Sequence, residues 1–280
     1  MARIMCALIA TKNRLLRNTS HDLRTIHKRF VHMLGQKVSV CGHNIHYERV
    51  GTGKRTVLLL PGALGSTRTD FTPQLEGMDG ERFTLIAWDP PGYGYSRPPE
   101  RVFSNFHRED AKIAAQLMST LGEHRYSVVG WSGGGTTALI IAAANLLNVQ
   151  KVVVFGANAY VTAEDKRLMR EIQDLNKWHP KARQAYADLY GADTFAKLWH
   201  SFVEYYCKLE DTCRADLKAI KQPTLILHGD LDPMVPMEHP MYLLDSISHS
   251  TLHRFPKGKH NIHQQYSEEF NKIVEKFLIQ

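Results

Sequence analysis

The sequence predicts an α/β fold: a mostly parallel central sheet flanked by helices, with a helical cap inserted into it. Three observations predict this. Short, continuous apolar runs recur along the chain, and such runs suit strands buried on both faces. Helix-patterned stretches separate them, and strand–helix alternation favours a parallel sheet covered on both sides. The alternation breaks once, over residues 157–222, where two helix-like stretches follow each other with no strand between.

Taken in order, residues 1–37 form a basic leader. It holds eight Lys/Arg and a single acid, Asp22, and so accounts for the whole formal net charge of +7. It lacks the continuous apolar segment of a secretory signal. Its Arg- and Ser/Thr-dotted, acid-poor composition matches a mitochondrial transit peptide. A mitochondrial location is expected, with a cytoplasmic one as the alternative. The core is expected over 38–156 and 223–280. "KVSVCGHNIHYERVG" (37–51) alternates about Gly42–His43–Asn44 and reads as two strands joined by a tight turn. "TVLLLPG" (56–62), "FTLIAWDPPG" (83–92), "YSVVG" (126–130), "KVVVFG" (151–156) and "PTLILHG" (223–229) are the buried strands. A last strand lies around Thr251–Phe255.

The helices follow from periodicity. Residues 105–122 place Ala111, Ala114, Leu117, Met118 and Leu121 on one face, with Ser104 or Asn105 as cap and Gly122 as stop. "GGTTALIIAAANLL" (134–147) is apolar nearly all round and should be buried. "SEEFNKIVEKFLI" closes the chain as an amphipathic helix. The insertion at 157–222 is too long for a loop. Its "AEDKRLMREIQDLNKW" and "ADTFAKLWHSFVEYYCKL" read as cap helices over one edge of the sheet. Trp178, Trp199, Phe202, Tyr205 and Tyr206 are expected mainly to pack these helices together, and secondarily to line a pocket.

Charge and composition exclude several classes. Residues 38–280 carry equal numbers of basic and acidic side chains. A nucleic-acid groove would need surplus positive charge there, so no nucleic-acid partner is expected. The longest nearly apolar run, "ALIIAAANLL" (138–147), falls short of the roughly 20 residues of a membrane span. No CxxC pair or zinc-ligand spacing occurs among Cys6, Cys41, Cys207 and Cys213. Cys207 and Cys213 could meet in space, but a reducing compartment would keep them as thiols. "GYGYSRPP" is glycine-rich but lacks the Gly-Lys-Ser/Thr of a phosphate loop. No cofactor and no metal are expected, and a monomer is.

The chemistry centres on "VVGWSGGGTT" (128–137). An apolar strand, a sharp turn and an apolar helix place Ser132 at the turn, with Gly130 and Gly134 where a Cβ would collide with strand or helix. The helix N-terminus faces the serine and favours developing negative charge. A serine hydroxyl is a weak nucleophile and needs an imidazole base oriented by a carboxylate. In chain order the carboxylate and histidine follow the serine. "LHGDLDPMVP" (227–236) offers Asp232, further from its strand than Asp230, which is expected to satisfy local backbone donors. "LHRFPKGKHNIH" (252–263) offers His260 in the loop, with His263 one turn on. Both loops lie at the C-terminal ends of strands, where sites in open α/β sheets occur. The amide of Gly133, after the nucleophile, is one expected oxyanion donor. The other comes from "LLLPGALGS": Ala63, with Leu64 next. Leu64 and Trp131 are also expected to contact the substrate.

With these motifs placed, the chain resembles the α/β-hydrolases. "LLLPGALGS", "WDPPGYGYSRPP", "GWSGGG", "HGDLDPMVP" and "GKHN" stand in that family's order from about residue 38 to the end. "WDPPGYGYSRPP", "GANAYVT" and "GKHNIH" are further similar to the valacyclovirase-type, or biphenyl hydrolase-like, serine hydrolases. That resemblance implies cleavage of α-amino-acid esters and, as in mammalian members, a mitochondrial location. Those enzymes carry an aspartate directly after the nucleophile, which pairs with the α-ammonium group of the substrate. Here that position is Gly133. The resemblance therefore implies a small-molecule ester substrate but a roomier, more neutral acyl pocket, unless folding brings another acid such as Asp70 near. Carbon–carbon bond hydrolysis or cofactor-free perhydrolysis on the same residues is the alternative chemistry. A non-catalytic binding protein of this fold is the alternative class. Haloalkane dehalogenases and epoxide hydrolases place an aspartate at the turn that holds Ser132 here.

Overall fold

The computed structural model describes residues 35–145 and 147–280. The expected leader, and the transit-peptide reading with it, lies outside them except for its last three positions. The sheet already begins at Gln36, two residues before the expected core boundary. Strands β1 (Gln36–Val40) and β2 (His43–Val50) form a hairpin. Its turn is Cys41–Gly42, slightly earlier than the sequence suggested, with both residues at positive φ (50° and 80°). Two-residue hairpin loops of this kind match the right-handed twist of the strands.

Six further strands follow: β3 (Arg55–Leu60), β4 (Phe83–Trp88), β5 (Tyr126–Trp131), β6 (Val149–Phe155), β7 (Thr224–Gly229) and β8 (Ser250–Phe255). The sheet order is β1-β2-β4-β3-β5-β6-β7-β8. β2 meets β4 antiparallel, and from β4 to β8 every pairing is parallel. The chain leaves β3 toward β4 on one side and returns to β5 on the other. The crevice between the C-terminal ends of β3 and β5 is therefore the topological switch point, where ligands bind in open parallel sheets.

The continuous apolar runs are explained by two cores. Leu58 and Leu60 of β3 face α2 (Phe106–Thr120) and α3 (Gly133–Ala144), together with Val128, Val152 and Ile226. Val57 and Leu59 face α1 (Thr67–Gly77) and the C-terminal helix, together with Val129, Val153 and Leu225. Helix α3 is buried from Gly134 through Ala142, as its all-round apolarity required. Among the described residues no helix is long and apolar enough to cross a membrane.

The insertion between β6 and β7 folds into α4 (Ala163–Glu171), α5 (Pro180–Tyr190) and α6 (Ala192–Tyr206). Their apolar faces meet in a third cluster with Tyr93 and Phe106 of the core. The expected cap limits of 157–222 are too generous. Ala157 and Ala159 belong to the core beside α3, as do Cys213, Leu217 and Ile220 around a 3-10 segment at Arg214–Ala219. Cys207 and Cys213 are free thiols. After β7 come α7 (Glu238–Ser246), α8 (Ile262–Gln265) and α9 (Ser267–Ile279). The cap is tied to α7 by a buried contact from His239 Nε2 to Asp165 Oδ2, 2.9 Å long.

Candidate active site

Ser132 stands between β5 and α3 with φ 53° and ψ −123°. A non-glycine residue there is strained, and strain of this kind persists only where neighbours over-determine it. They do so from both sides. The Ser132 amide donates to the Phe155 carbonyl at 2.9 Å, and its carbonyl accepts from the Gly135 amide at 2.8 Å. Next door, Gly133 opens α3, so its N–H has no intrahelical acceptor.

The loop after β3 approaches from the other side of the switch point. A Cβ built on Gly133 would lie 3.8 Å from the Ala63 nitrogen. The Ala63 N–H, like that of Gly133, donates to no protein acceptor among the described residues. The loop is held from beneath. The Gly62 amide donates to Asp70 Oδ2 at 2.9 Å. Asp89, at the end of β4, accepts from the Thr67 amide at 2.7 Å and from the Tyr95 amide at 2.7 Å. From above, the Tyr190 hydroxyl of the cap donates to the Leu64 carbonyl at 2.7 Å. Leu64 itself does not contact the cavity described below. Its φ of 61° turns the side chain into the aromatic cluster under the cap, where it is fully buried. The expectation that it touches substrate is therefore corrected.

Asp70 lies behind this loop and is completely buried. Burial, with the nearby Asp89 charge adding, pushes its carboxyl up to about 7 against the stabilising bonds from Thr69 and Gly62. Its Oδ2 is held by the Gly62 amide and its Oδ1 by the Thr69 hydroxyl at 2.8 Å, and Asp70 itself is not among the residues that border the cavity described below. The native state holds a proton that the unfolded chain, with an ordinary value of 3.8, has released. Stability should then fall as pH rises from about 4 to about 7, by up to roughly 4 kcal/mol from this group. Asp70→Asn should lose that decline. In urea titrations, the variant's unfolding free energy relative to wild type should rise by about 2 kcal/mol or more between pH 4 and pH 8. A difference independent of pH would show that Asp70 is ionised in the native state throughout.

The acid and the histidine meet. His260 Nδ1 is 2.7 Å from Asp232 Oδ2. Asp232 Oδ1 accepts from the amides of Met234 and Val235, at 2.8 and 3.0 Å. Burial opposes the charged carboxylate, but the facing His260 and these donors outweigh it, and the Asp232 pKa lies below its ordinary value. Asp230 points elsewhere: it pairs with Arg254 of β8 at 2.8 Å instead of capping its own loop. His263 is fully buried in α8, against Phe71 and Phe155. Burial pushes it down to about 3, leaving it neutral. His260 is positioned twice over. The Trp131 indole N–H donates to its carbonyl at 2.9 Å. Gly156, at φ 55°, leaves room for its ring; a Cβ there would lie 2.8 Å from His260 Cε1.

Ser132 and His260 border one cavity of about 540 Å³. The His260 ring hydrogen-bonds Asp232 and makes no direct hydrogen bond to Ser132. Ala63 and Trp131 complete the floor. Tyr186, Trp178 and Trp199 roof it from the cap, while Phe202, Tyr205 and Tyr206 only pack the helices. Behind Gly133, His107 comes within 3.3 Å of a would-be Cβ. Burial, with the Arg101 charge adding, pushes His107 down to about 3, so it is neutral. The one metal-type grouping among the described residues is Asp165, Glu238 and His239 at the cap junction. Its Asp165 is already occupied by the Thr162 amide at 2.7 Å and by His239.

The positioning roles of Asp70, Asp89, Gly156 and Tyr190 escaped the sequence reading. "WDPPGYG" was visible as a motif, and Asp89 within it was the available signal. Gly156 ends a strand at the level of the site, which is a weaker one.

Comparison with known proteins agrees with this geometry. The model of the alpha/beta hydrolase family matches residues 57–273. The Mus musculus serine hydrolase BPHL is 48% identical over 248 residues, covering 86% of this chain and 85% of that protein. The Homo sapiens serine hydrolase BPHL is 45% identical over the same shares. Among solved structures, the esterase EaEST from Exiguobacterium antarcticum superimposes with a TM-score of 0.74 at 22% identity, over 88% of this chain and all of that one. The chain belongs to the alpha/beta hydrolase family, and within it to the serine hydrolases.

Proposed function

We propose that the protein hydrolyses small carboxylic esters through an acyl-enzyme on Ser132. The observation that carries this is His260, which pairs with Asp232 at 2.7 Å and borders the same cavity as the strained Ser132. His260 Nε2 takes the Ser132 proton as Oγ attacks the ester carbonyl. The amides of Gly133 and Ala63 hold the oxyanion. His260 then gives the proton to the leaving alcohol, and in the second half removes one from the water that releases the acid. Asp232 keeps Nδ1 protonated and stabilises the imidazolium. Trp131 positions the His260 loop and walls the cavity.

An α-ammonium group on the substrate is not required. Gly133 supplies no carboxylate, and Asp70 is fully buried and does not border the cavity. A close charge pair at a desolvated site couples by roughly 1.5–7 kcal/mol, and that anchor is missing here. The test compares kcat/KM for a valine ester and the isovalerate ester of the same alcohol, with Ser132→Ala as blank. Ser132-dependent turnover with rates within about tenfold of each other is expected. A preference for the valine ester of about 100-fold, near 2.7 kcal/mol, would mean that another group binds the ammonium. No Ser132-dependent turnover of either ester would favour carbon–carbon bond hydrolysis or perhydrolysis on the same residues.

A further inference from the structure

The charges around the cavity run one way. Lys177 and Lys181 both border it, as does His179 between them. Neither lysine ammonium makes an ion pair or a side-chain hydrogen bond among the described residues. Among the described residues, no glutamate and no aspartate borders the cavity. Asp174, the nearest acid in sequence, turns its Oδ1 to the Asn176 amide at 2.9 Å. Asp232 sits behind Pro233 and is committed to His260 and two amides. Lys181 lies in the first turn of α5, which holds no acid, so its charge adds to the positive end of the helix instead of offsetting it. On the floor, the position after the nucleophile has no side chain, and His107 beside it is neutral. The cavity is thus apolar around Trp178, Trp199 and Tyr186, with two lysines unpaired among the described residues on its border and no aspartate or glutamate from those residues in its lining.

Resting on the ester reading above, we propose that the preferred substrate is an ester that also carries a carboxylate. Its ester carbonyl lies at Ser132, its chain against the cap aromatics, and its carboxylate at Lys177 and Lys181. An ammonium in the same place would meet two like charges. A neutral chain would leave the lysines hydrated and contribute only its apolar contacts.

Three ethyl esters of similar length separate these cases: monoethyl adipate, ethyl hexanoate and ethyl 6-aminohexanoate. Initial rates in a pH-stat at pH 7.5 and low salt give kcat/KM for each, with Ser132→Ala as blank. The adipate half-ester is expected to exceed ethyl hexanoate by about tenfold or more and the amino ester by about 100-fold. The advantage should shrink about threefold or more in 0.5 M NaCl, because charges at an open rim are screened. In the Lys177→Gln/Lys181→Gln double variant the adipate-to-hexanoate ratio should fall to near one, and Lys177→Glu/Lys181→Glu should rank the amino ester above the half-ester. Both lysines are exposed, so these changes leave the core untouched. An adipate-to-hexanoate ratio of one or less in the wild type overturns this inference alone. A ratio that survives the double Gln change does the same. Absence of Ser132-dependent turnover of all three esters overturns the ester reading and this inference with it.

Discussion

Asp232→Asn should lower kcat on any ester substrate by about 10⁴-fold while changing KM little. The carboxylate accepts from His260 through one oxygen, at 2.7 Å, and from two backbone amides through the other. Asparagine cannot meet both demands. If its oxygen stays on the amides of Met234 and Val235, its NH₂ faces Nδ1 and forces the proton to Nε2. The imidazole then cannot accept from Ser132, and nothing stabilises the imidazolium. Ser132→Ala should cost more, about 10⁶-fold. The double variant should be no worse than Ser132→Ala alone, because residues that act as one unit do not add. Burst kinetics with an activated ester, beside urea titrations to show that the fold is kept, provide the check. A loss under about tenfold would mean that another acid orients His260. Asp230 is ill placed for that, since its carboxylate is held by Arg254 on β8.

The parallel strands were legible because burial on both faces leaves an unbroken apolar run. Val57 and Leu59 serve one core while Leu58 and Leu60 serve the other. Helix α1 was not legible, for an equally physical reason. It carries Pro73 and buries Asp70 and Gln74, which hydrogen-bond to the Gly62 amide and to the His263 carbonyl. A helix that buries polar groups shows no apolar stripe to read. Ser132, Asp232 and His260 stand out in the sequence as candidates because each follows a strand at the same end of the sheet. The groups that position them could not. Trp131 meets the His260 carbonyl across 129 residues, and Tyr190 meets Leu64 across 126. Such pairings are created only by the fold. Leu64 misled for a local reason: the sign of its φ decides whether its side chain faces the cavity or the cap, and composition does not report that sign.

Gly134→Ala should be among the most damaging single substitutions in the protein, whereas Gly133→Ala should be nearly silent for stability. A Cβ at 134 would lie 2.2 Å from the Leu60 carbonyl oxygen and 2.4 Å from that of Pro61. The first carbonyl ends β3, a central strand with partners on both sides, and the second is on the residue directly after it, so neither can yield cheaply. At 133 the nearest atom is His107 Cε1, at 3.3 Å, on a side chain that can shift by a few tenths of an ångström. Overpacking of the first kind costs roughly 3 kcal/mol or more, and the second well under 1. The relief available to Gly134→Ala is to push α3 away from β3. That separates the Gly133 amide from the Ala63 amide, so kcat of the folded fraction should also fall, by about 100-fold or more. Urea midpoints and kcat of the two variants read both effects, and equal midpoints would refute the packing argument. The glycines around Ser132 are therefore not equivalent. Gly134 is required by the close approach of helix to strand, whereas Gly133 is not required by packing at all. A Cβ could stand at 133 with a small shift of His107, so the lack of a side chain there is a property of the pocket, which leaves the charge preference of the site to Lys177 and Lys181.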